Sequence, residues 1–163
     1  MPKKATKCPD NIFYLRRAEA SSWDENFSSR ERTAEVLGID RTRLAYIELE
    51  KINPHPDEAL LLADAYHAPE ICNYYCSKLC PIGQRTVAEV EINELERTVL
   101  QLLSAFRDLP KVKEELITIA SDGVIHSDEC PIMESIIRKL DEAAARIQSL
   151  KLYYTKFYGN RTR

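Results

Sequence analysis

The chain has 163 residues, enough for one ordinary domain or two small ones. Hydrophobic residues make up 44% and charged residues 30%, the balance of a folded chain rather than a disordered one. The formal charge of −3 speaks against a broadly basic nucleic-acid coat. Residues 1–83 carry 11 Lys/Arg against 13 Asp/Glu and residues 84–163 carry 12 against 13, so any basic footprint is local.

With only four glycines and an abundance of Leu, Ala, Glu, Arg and Lys, the composition points to an all-α fold. The sequence has no run of about 18 apolar residues, so no membrane span is expected. Met1–Asp10 carries lysines without an apolar segment behind them, so no secretory leader is expected either. A cytoplasmic location follows as the expectation, with the five cysteines reduced.

Residues 1–10, with Lys3, Lys4 and Lys7, read as a flexible arm, either a plain terminus or one that touches phosphates. Asn11–Ala20 has helical spacing through Ile12, Leu15 and Ala18. Ser21–Ser29 reads as a loop with two apolar anchors, Trp23 and Phe27. Ser29 caps a helix over Arg30–Leu37, and Gly38 ends it because glycine takes the left-handed conformation cheaply. Asp40 caps the next helix, Arg41 to about Glu50, which Asn53-Pro54-His55-Pro56 forbids from continuing. Asp57–His67 and Pro69–Leu79 are two further helices, the second closed by Pro81-Ile82-Gly83. Five short helices are thus predicted over residues 11–80.

From Thr86 the texture changes. Ile92, Leu95, Val99, Leu102 and Phe106 recur every three or four residues, Leu109-Pro110 interrupts, and Val112–Ala120 forms a shorter helix. Ser121–His126 is a turn. Ser127 caps a long last helix with Asp128 and Glu129 in its first turn. Its apolar residues Ile132, Ile136, Leu140, Ala143, Ile147, Leu150, Tyr154 and Phe157 form a near-heptad stripe, either internal core or a dimer seam. The domain boundary falls at 83/84.

Ser29–Pro54 is the informative stretch. Two short helices meet at Gly38-Ile39-Asp40, and small Ala34 lets them pack closely. Leu37, Leu44 and Ile47 point inward, while Thr42, Ala45, Tyr46 and Leu49 point away. Arg41 and Arg43 flank the exposed face near its N-terminus, as a helix entering the major groove requires. Arginine bonds guanine O6 and N7 in bidentate fashion, and Tyr46 can reach a phosphate or a thymine methyl. Ser29 and Arg30 begin the helix that crosses the backbone, and Arg30, Arg32 and Lys51 supply local positive charge.

Leu15-Arg16, Ala34-Glu35-Val36-Leu37-Gly38-Ile39-Asp40-Arg41-Thr42-Arg43-Leu44, Ile47-Glu48 and Lys51-Ile52-Asn53-Pro54 together resemble the lambda-repressor-like, or XRE-type, helix-turn-helix family over about residues 11–80. Ala68–Cys76 and Cys80-Pro81-Ile82-Gly83 are similar to clostridial members. The resemblance implies a five-helix DNA-binding domain in which Arg16 pairs with Glu48, and DNA contacts from Arg30, Arg41, Thr42, Arg43 and Tyr46. Three features depart from the family pattern: Arg30 stands where glutamine is usual, Glu50 where glycine is usual, and the Ser21–Ser29 loop is longer.

Cys72, Cys76 and Cys80 sit four apart. Free cysteines are among the most buried residue types, so they read as core, with a metal or thiol sensor and a disulfide left open. Asp122-Gly123 followed by Ser127-Asp128-Glu129 lacks the alternating ligand positions of a calcium loop and reads as a capped turn. His55, His67 and His126 stand near no nucleophile at a recognisable spacing, and no glycine loop cradles phosphate. No catalysis, metal or cofactor is expected. The sequence thus predicts a transcriptional regulator, more specifically a repressor, that binds double-stranded DNA as a homodimer joined through its C-terminal helices. The rival from another class is a non-catalytic interaction module such as an antitoxin or an anti-repressor-like adaptor.

Overall fold

The computed structural model describes residues 8–159, so the expected arm with Lys3, Lys4 and Lys7 lies outside the described residues. The described chain is all-helical, with no strand among the described residues, and ends in a long helix. It divides into two compact units that meet between Val87 and Ala88. No helix among the described residues is long and apolar enough to cross a membrane.

The N-terminal unit opens with α1 (Ile12–Ala20), where the Asn11 side chain caps the first turn by accepting from the Tyr14 amide at 3.0 Å. Phe13, Arg17 and Ala20 are its buried residues, whereas Leu15 and Ala18 are exposed. The inward face is therefore rotated from the predicted Ile12–Leu15–Ala18 face. Phe13 fills more core volume than Leu15, and Arg17 is admitted inside because it finds a buried partner.

A 3₁₀ turn, Glu25–Phe27, carries the loop, with Phe27 buried edge-on against Tyr66 at 5.2 Å. Trp23 stays half exposed, stacked on His67 at 4.9 Å. Then come α2 (Arg30–Leu37), α3 (Arg41–Glu48), α4 (Pro56–Ala65) and α5 (Glu70–Tyr74). The last runs on as a π turn, Tyr75–Leu79, before the short α6 (Gly83–Thr86). Leu44, Ile47, Leu62 and Ile71, all essentially inaccessible, form the centre of the core. Cys72, Cys76 and Cys80 are half-buried free thiols, and burial pushes the Cys72 thiol up.

Pro56 opens α4 one residue before the predicted start, since proline suits a first helical turn. Helix α3 stops at Glu48, two residues early. Glu50 adopts φ 57°, the left-handed conformation that glycine takes most cheaply, and the Lys51 amide reaches back to the Tyr46 carbonyl at 2.9 Å.

The C-terminal unit holds α7 (Leu95–Arg107), α8 (Leu109–Ile119) and α9 (Cys130–Tyr158). Ile92 lies before α7. Leu109-Pro110 opens α8 rather than separating two helices. Ser127 does not cap the last helix. The chain turns until Glu129, whose carboxylate accepts the His126 amide at 2.9 Å, and Pro131 then suits the first turn. The unit's core is Val112, Ile119 and Ile136, with Leu116 and Met133 packed on it. Asp122 accepts the Val124 amide at 3.1 Å and a contact from His126 Nε2 at 2.8 Å, which makes Asp122–His126 a locally bonded turn.

A non-glycine residue in the left-handed region carries steric strain of about 1 kcal/mol. Replacing Glu50 by glycine is expected to stabilise the N-terminal unit by about 0.5–1 kcal/mol in denaturant unfolding. A lower midpoint in the variant would contradict the strain argument.

Candidate nucleic-acid interface

The two central helices are built from local signals. The Ser29 hydroxyl accepts the Arg32 amide at 3.3 Å, and buried Thr33 donates back to the Ser29 carbonyl at 2.8 Å, which secures the start of α2. Gly38, at φ 66°, ends α2 in the left-handed conformation. Asp40 accepts the Arg43 amide at 2.8 Å and starts α3. Leu44 and Ile47 are buried beneath α3, while Arg41, Thr42 and Tyr46 are exposed on its far side. The exposed face of α3 is thus presented by a helix whose opposite face is fixed.

Glu48 holds this arrangement and is fully buried. Arg17, not Arg16, is its partner across to α1. Its Nε donates to Oε1 at 2.5 Å and its Nη2 to Oε2 at 3.0 Å, the bidentate fork that guanidinium and carboxylate favour. A third donation from Arg17 Nη1 reaches the Phe27 carbonyl at 3.1 Å and ties down the long loop. Arg30 Nε adds a bond to Glu48 Oε2 at 2.6 Å, so α2 joins the same carboxylate. Burial works against the Arg17 charge, but the hydrogen bond and charge of Glu48 outweigh it and keep the guanidinium firmly protonated.

Arg16 stands one position, about 100°, around α1 from Arg17. It pairs instead with Glu19 and, at 2.8 Å, with Glu70. The expected Arg16–Glu48 pair is therefore corrected to Arg17–Glu48. The signal for it was present: Phe13, Arg17 and Ala20 are spaced four and three apart, which places the arginine in line with the buried apolar residues.

The remaining expected contact residues share one pattern. Arg32 reaches Glu25 at 2.6 Å and Arg41 reaches Glu31 at 2.5 Å. Arg43 forks onto Glu58 of α4, with Nη2 at 2.7 Å from Oε2. Lys51 Nζ sits 4.7 Å from the centre of the Tyr46 ring, a cation–π contact. Glu58 also accepts the His55 amide at 2.6 Å. Its carboxyl is held below the usual 4.5, chiefly by the Arg43 hydrogen bond, which outweighs the opposing effect of burial. Sequence reasoning missed Glu25 and Glu58 as partners because each lies on another element.

A cleft of about 440 Å³ opens where α1, the loop and the starts of α2 and α3 converge. Tyr14, Arg17, Ser29, Arg30, Glu31 and Arg41 line it. It gathers Ser29, Arg30 and Arg41 from the expected contact set and adds Tyr14. Among the described residues no group of three or more His, Cys, Asp or Glu side chains is placed to hold a metal ion. No protein-family model, no curated protein and no solved structure matches this chain.

Two measurements check this geometry. Arg17→Met leaves the buried Glu48 carboxylate with Arg30 alone and is expected to cost about 3 kcal/mol of unfolding free energy, whereas Arg16→Met at its partly exposed site should cost about 1 kcal/mol. Equal losses would contradict the assignment. The depressed Glu58 carboxyl contributes stability that is complete above its ordinary value of 4.5 and is lost as pH falls through its lower folded value. Glu58→Gln should therefore show a shallower fall in melting temperature than the parent between neutral pH and pH ~3.

Proposed function

We propose that the chain is a sequence-specific DNA-binding transcriptional regulator of the lambda-repressor-like type, acting in the cytoplasm as a non-catalytic repressor by occlusion. The observation that carries this reading is the exposed face of α3, where Arg41, Thr42 and Tyr46 stand clear of a helix locked from behind by Leu44, Ile47 and Glu48. A helix so held presents its N-terminal side chains to base edges with little entropy left to lose. Beside it, Ser29 and Arg30 at the start of α2 supply backbone contacts, and Arg32 and Lys51 flank them. Arg43, braced against Glu58, is a positioning residue first and reaches DNA only by exchanging that partner for a phosphate or a base.

The same reading includes a homodimer joined through the C-terminal helices. One small domain makes few base contacts, and two on one duplex gain affinity through effective concentration. The interaction-module alternative, an antitoxin or anti-repressor-like adaptor, is favoured by one observation: Arg30, Arg32, Arg41 and Arg43 each have a carboxylate within ion-pair distance, so the face is far less positive than its arginines suggest.

Selection of duplexes from random and genomic fragment pools with the purified chain separates the two readings. Arg41→Ala and Tyr46→Ala, both at exposed positions, are each expected to weaken binding to a selected duplex by about 5–150-fold, from about 1–3 kcal/mol per contact, with melting unchanged. A pool that enriches no sequence, or variants that bind like the parent, would reject the DNA reading.

A further inference from the structure

The two units differ sharply in how much they bury. Among residues 88–159 the buried hydrophobic residues are Val112, Ile119, Ile136, Ala143 and Leu152, whereas the N-terminal unit buries twelve. The interior faces of α7 and α9 also include the small polar Thr98 and Ser149, both buried. A unit of this size is marginal even with a well-filled core.

Exposed apolar side chains occur on all three helices, with Leu100 and Leu103 of α7 and Ile117 of α8 the most exposed, and α9 carries the largest number of them. At about 1.5 Å per residue the helix runs about 44 Å, whereas α8 runs only about 16 Å. Helix α8 packs on the first half of α9, where Ile136 and Met133 meet Val112, Leu116 and Ile119 and Lys139 approaches Glu115 at 4.0 Å, while Ile132 and Leu140 stay exposed. Helix α7 takes a different face of α9, through Thr98, Ser149 and the Gln101–Arg146 hydrogen bond at 3.4 Å. Beyond the reach of α8, Ile147, Tyr154, Phe157 and Tyr158 remain 38–57% exposed.

We infer that the C-terminal unit reaches its folded state only as a pair of copies, joined along the exposed α9 stripe from Leu140 to Tyr158. The occupant is a second copy of this chain for two reasons. First, Ile132, Ile137 and Leu140 extend the same broad face toward the start of α9. With a whole aromatic side chain at about 150–250 Å² and an aliphatic one somewhat less, these seven residues leave roughly 600 Å² per copy open. A standard interface takes about 800 Å² from each partner, polar rim included. Second, residues 88–163 carry 11 Lys/Arg against 13 Asp/Glu, so two copies meet without strong repulsion and nothing in the charge calls for a highly charged partner. This extends the self-association proposed above and is independent of DNA binding.

The full chain tests it. Sedimentation should show a dimer, and the melting of the C-terminal helices should rise in temperature with protein concentration. The double variant Ile147→Glu/Tyr154→Glu changes side chains that are exposed in a single copy. It should sediment as a monomer, lose the helical signal and amide protection of α7, α8 and α9, and leave α1–α5 protected. Leu60→Glu, at an equally exposed apolar position of α4, should leave the dimer intact. A parent chain that stays monomeric at high micromolar concentration overturns the inference, and so does a monomeric double variant that keeps its C-terminal helices. Duplex selection is scored separately, so a failed seam and a failed DNA reading are told apart.

Discussion

The buried carboxylate of Glu48 organises the N-terminal unit. It sits at the last residue of α3 and receives Arg17 from α1 and Arg30 from α2, while the third donor of Arg17 holds the Phe27 carbonyl of the loop. Four segments meet on one ion-paired cluster with no exposed surface on Glu48 itself. Desolvating such a group is costly, and an apolar replacement of the whole cluster could be as stable. A well-packed apolar patch would tolerate small rotations of α3, whereas a bidentate fork with a second guanidinium on one of its oxygens admits one orientation. The network therefore accounts for how precisely α3 is held more than for how stably the unit folds.

That precision bears on the outward face. Thr42 and Tyr46 share α3 with Leu44 and Ile47, so whatever fixes the inner pair also sets the direction of the outer pair. The arginines around them are held differently, each in an ion pair with an acid nearby. The exposed pairs, Arg32–Glu25 and Arg41–Glu31, contribute about 0–1 kcal/mol, so an anion can displace the carboxylate there. The exchange costs part of the Coulomb gain that free arginines would bring. On the proposed DNA reading, such a face would bind weakly without the right bases, since little non-specific attraction remains to hold it. Discrimination would then fall to the side chains that have no acid partner to exchange, Thr42 and Tyr46 among them.

Much of this was legible in the sequence where the determining contact is local. Ser29, Gly38 and Asp40 act within four residues, and each cap or stop stands where the sequence placed it. The errors arise where a distant partner decides. Arg17 goes inside because Glu48, 31 residues away, waits there. Without that partner an arginine reads as surface, which tilted the expected face of α1 and with it the Arg16 assignment. Ser127 was a sound cap by type, but Glu129 bonds the His126 amide and Pro131 follows, which moves the helix start to Cys130. The α9 stripe was visible as a period. Which of its residues are covered depends on the length of α8 and on which face α7 takes, and neither is a property of α9.

The two units solve the small-domain problem in opposite ways. In the N-terminal unit short helices cross around Leu44, Ile47, Leu62 and Ile71, and the aromatic pair Phe27–Tyr66 closes the side left open by the long loop. Its surface is then free to carry polar residues on α3 without loss of core. In the C-terminal unit the longest helix carries seven large apolar side chains that stay more than a third exposed. A helix of 29 residues packed against helices of 13 and 11 residues leaves part of its apolar surface open. The aromatic residues Tyr153, Tyr154, Phe157 and Tyr158 cluster at its C-terminal end, with ring centres 4.7–6.5 Å apart. Aromatic rings gain most from burial per rotatable bond, so this exposed cluster is the part of α9 with most to gain from the pairing inferred above.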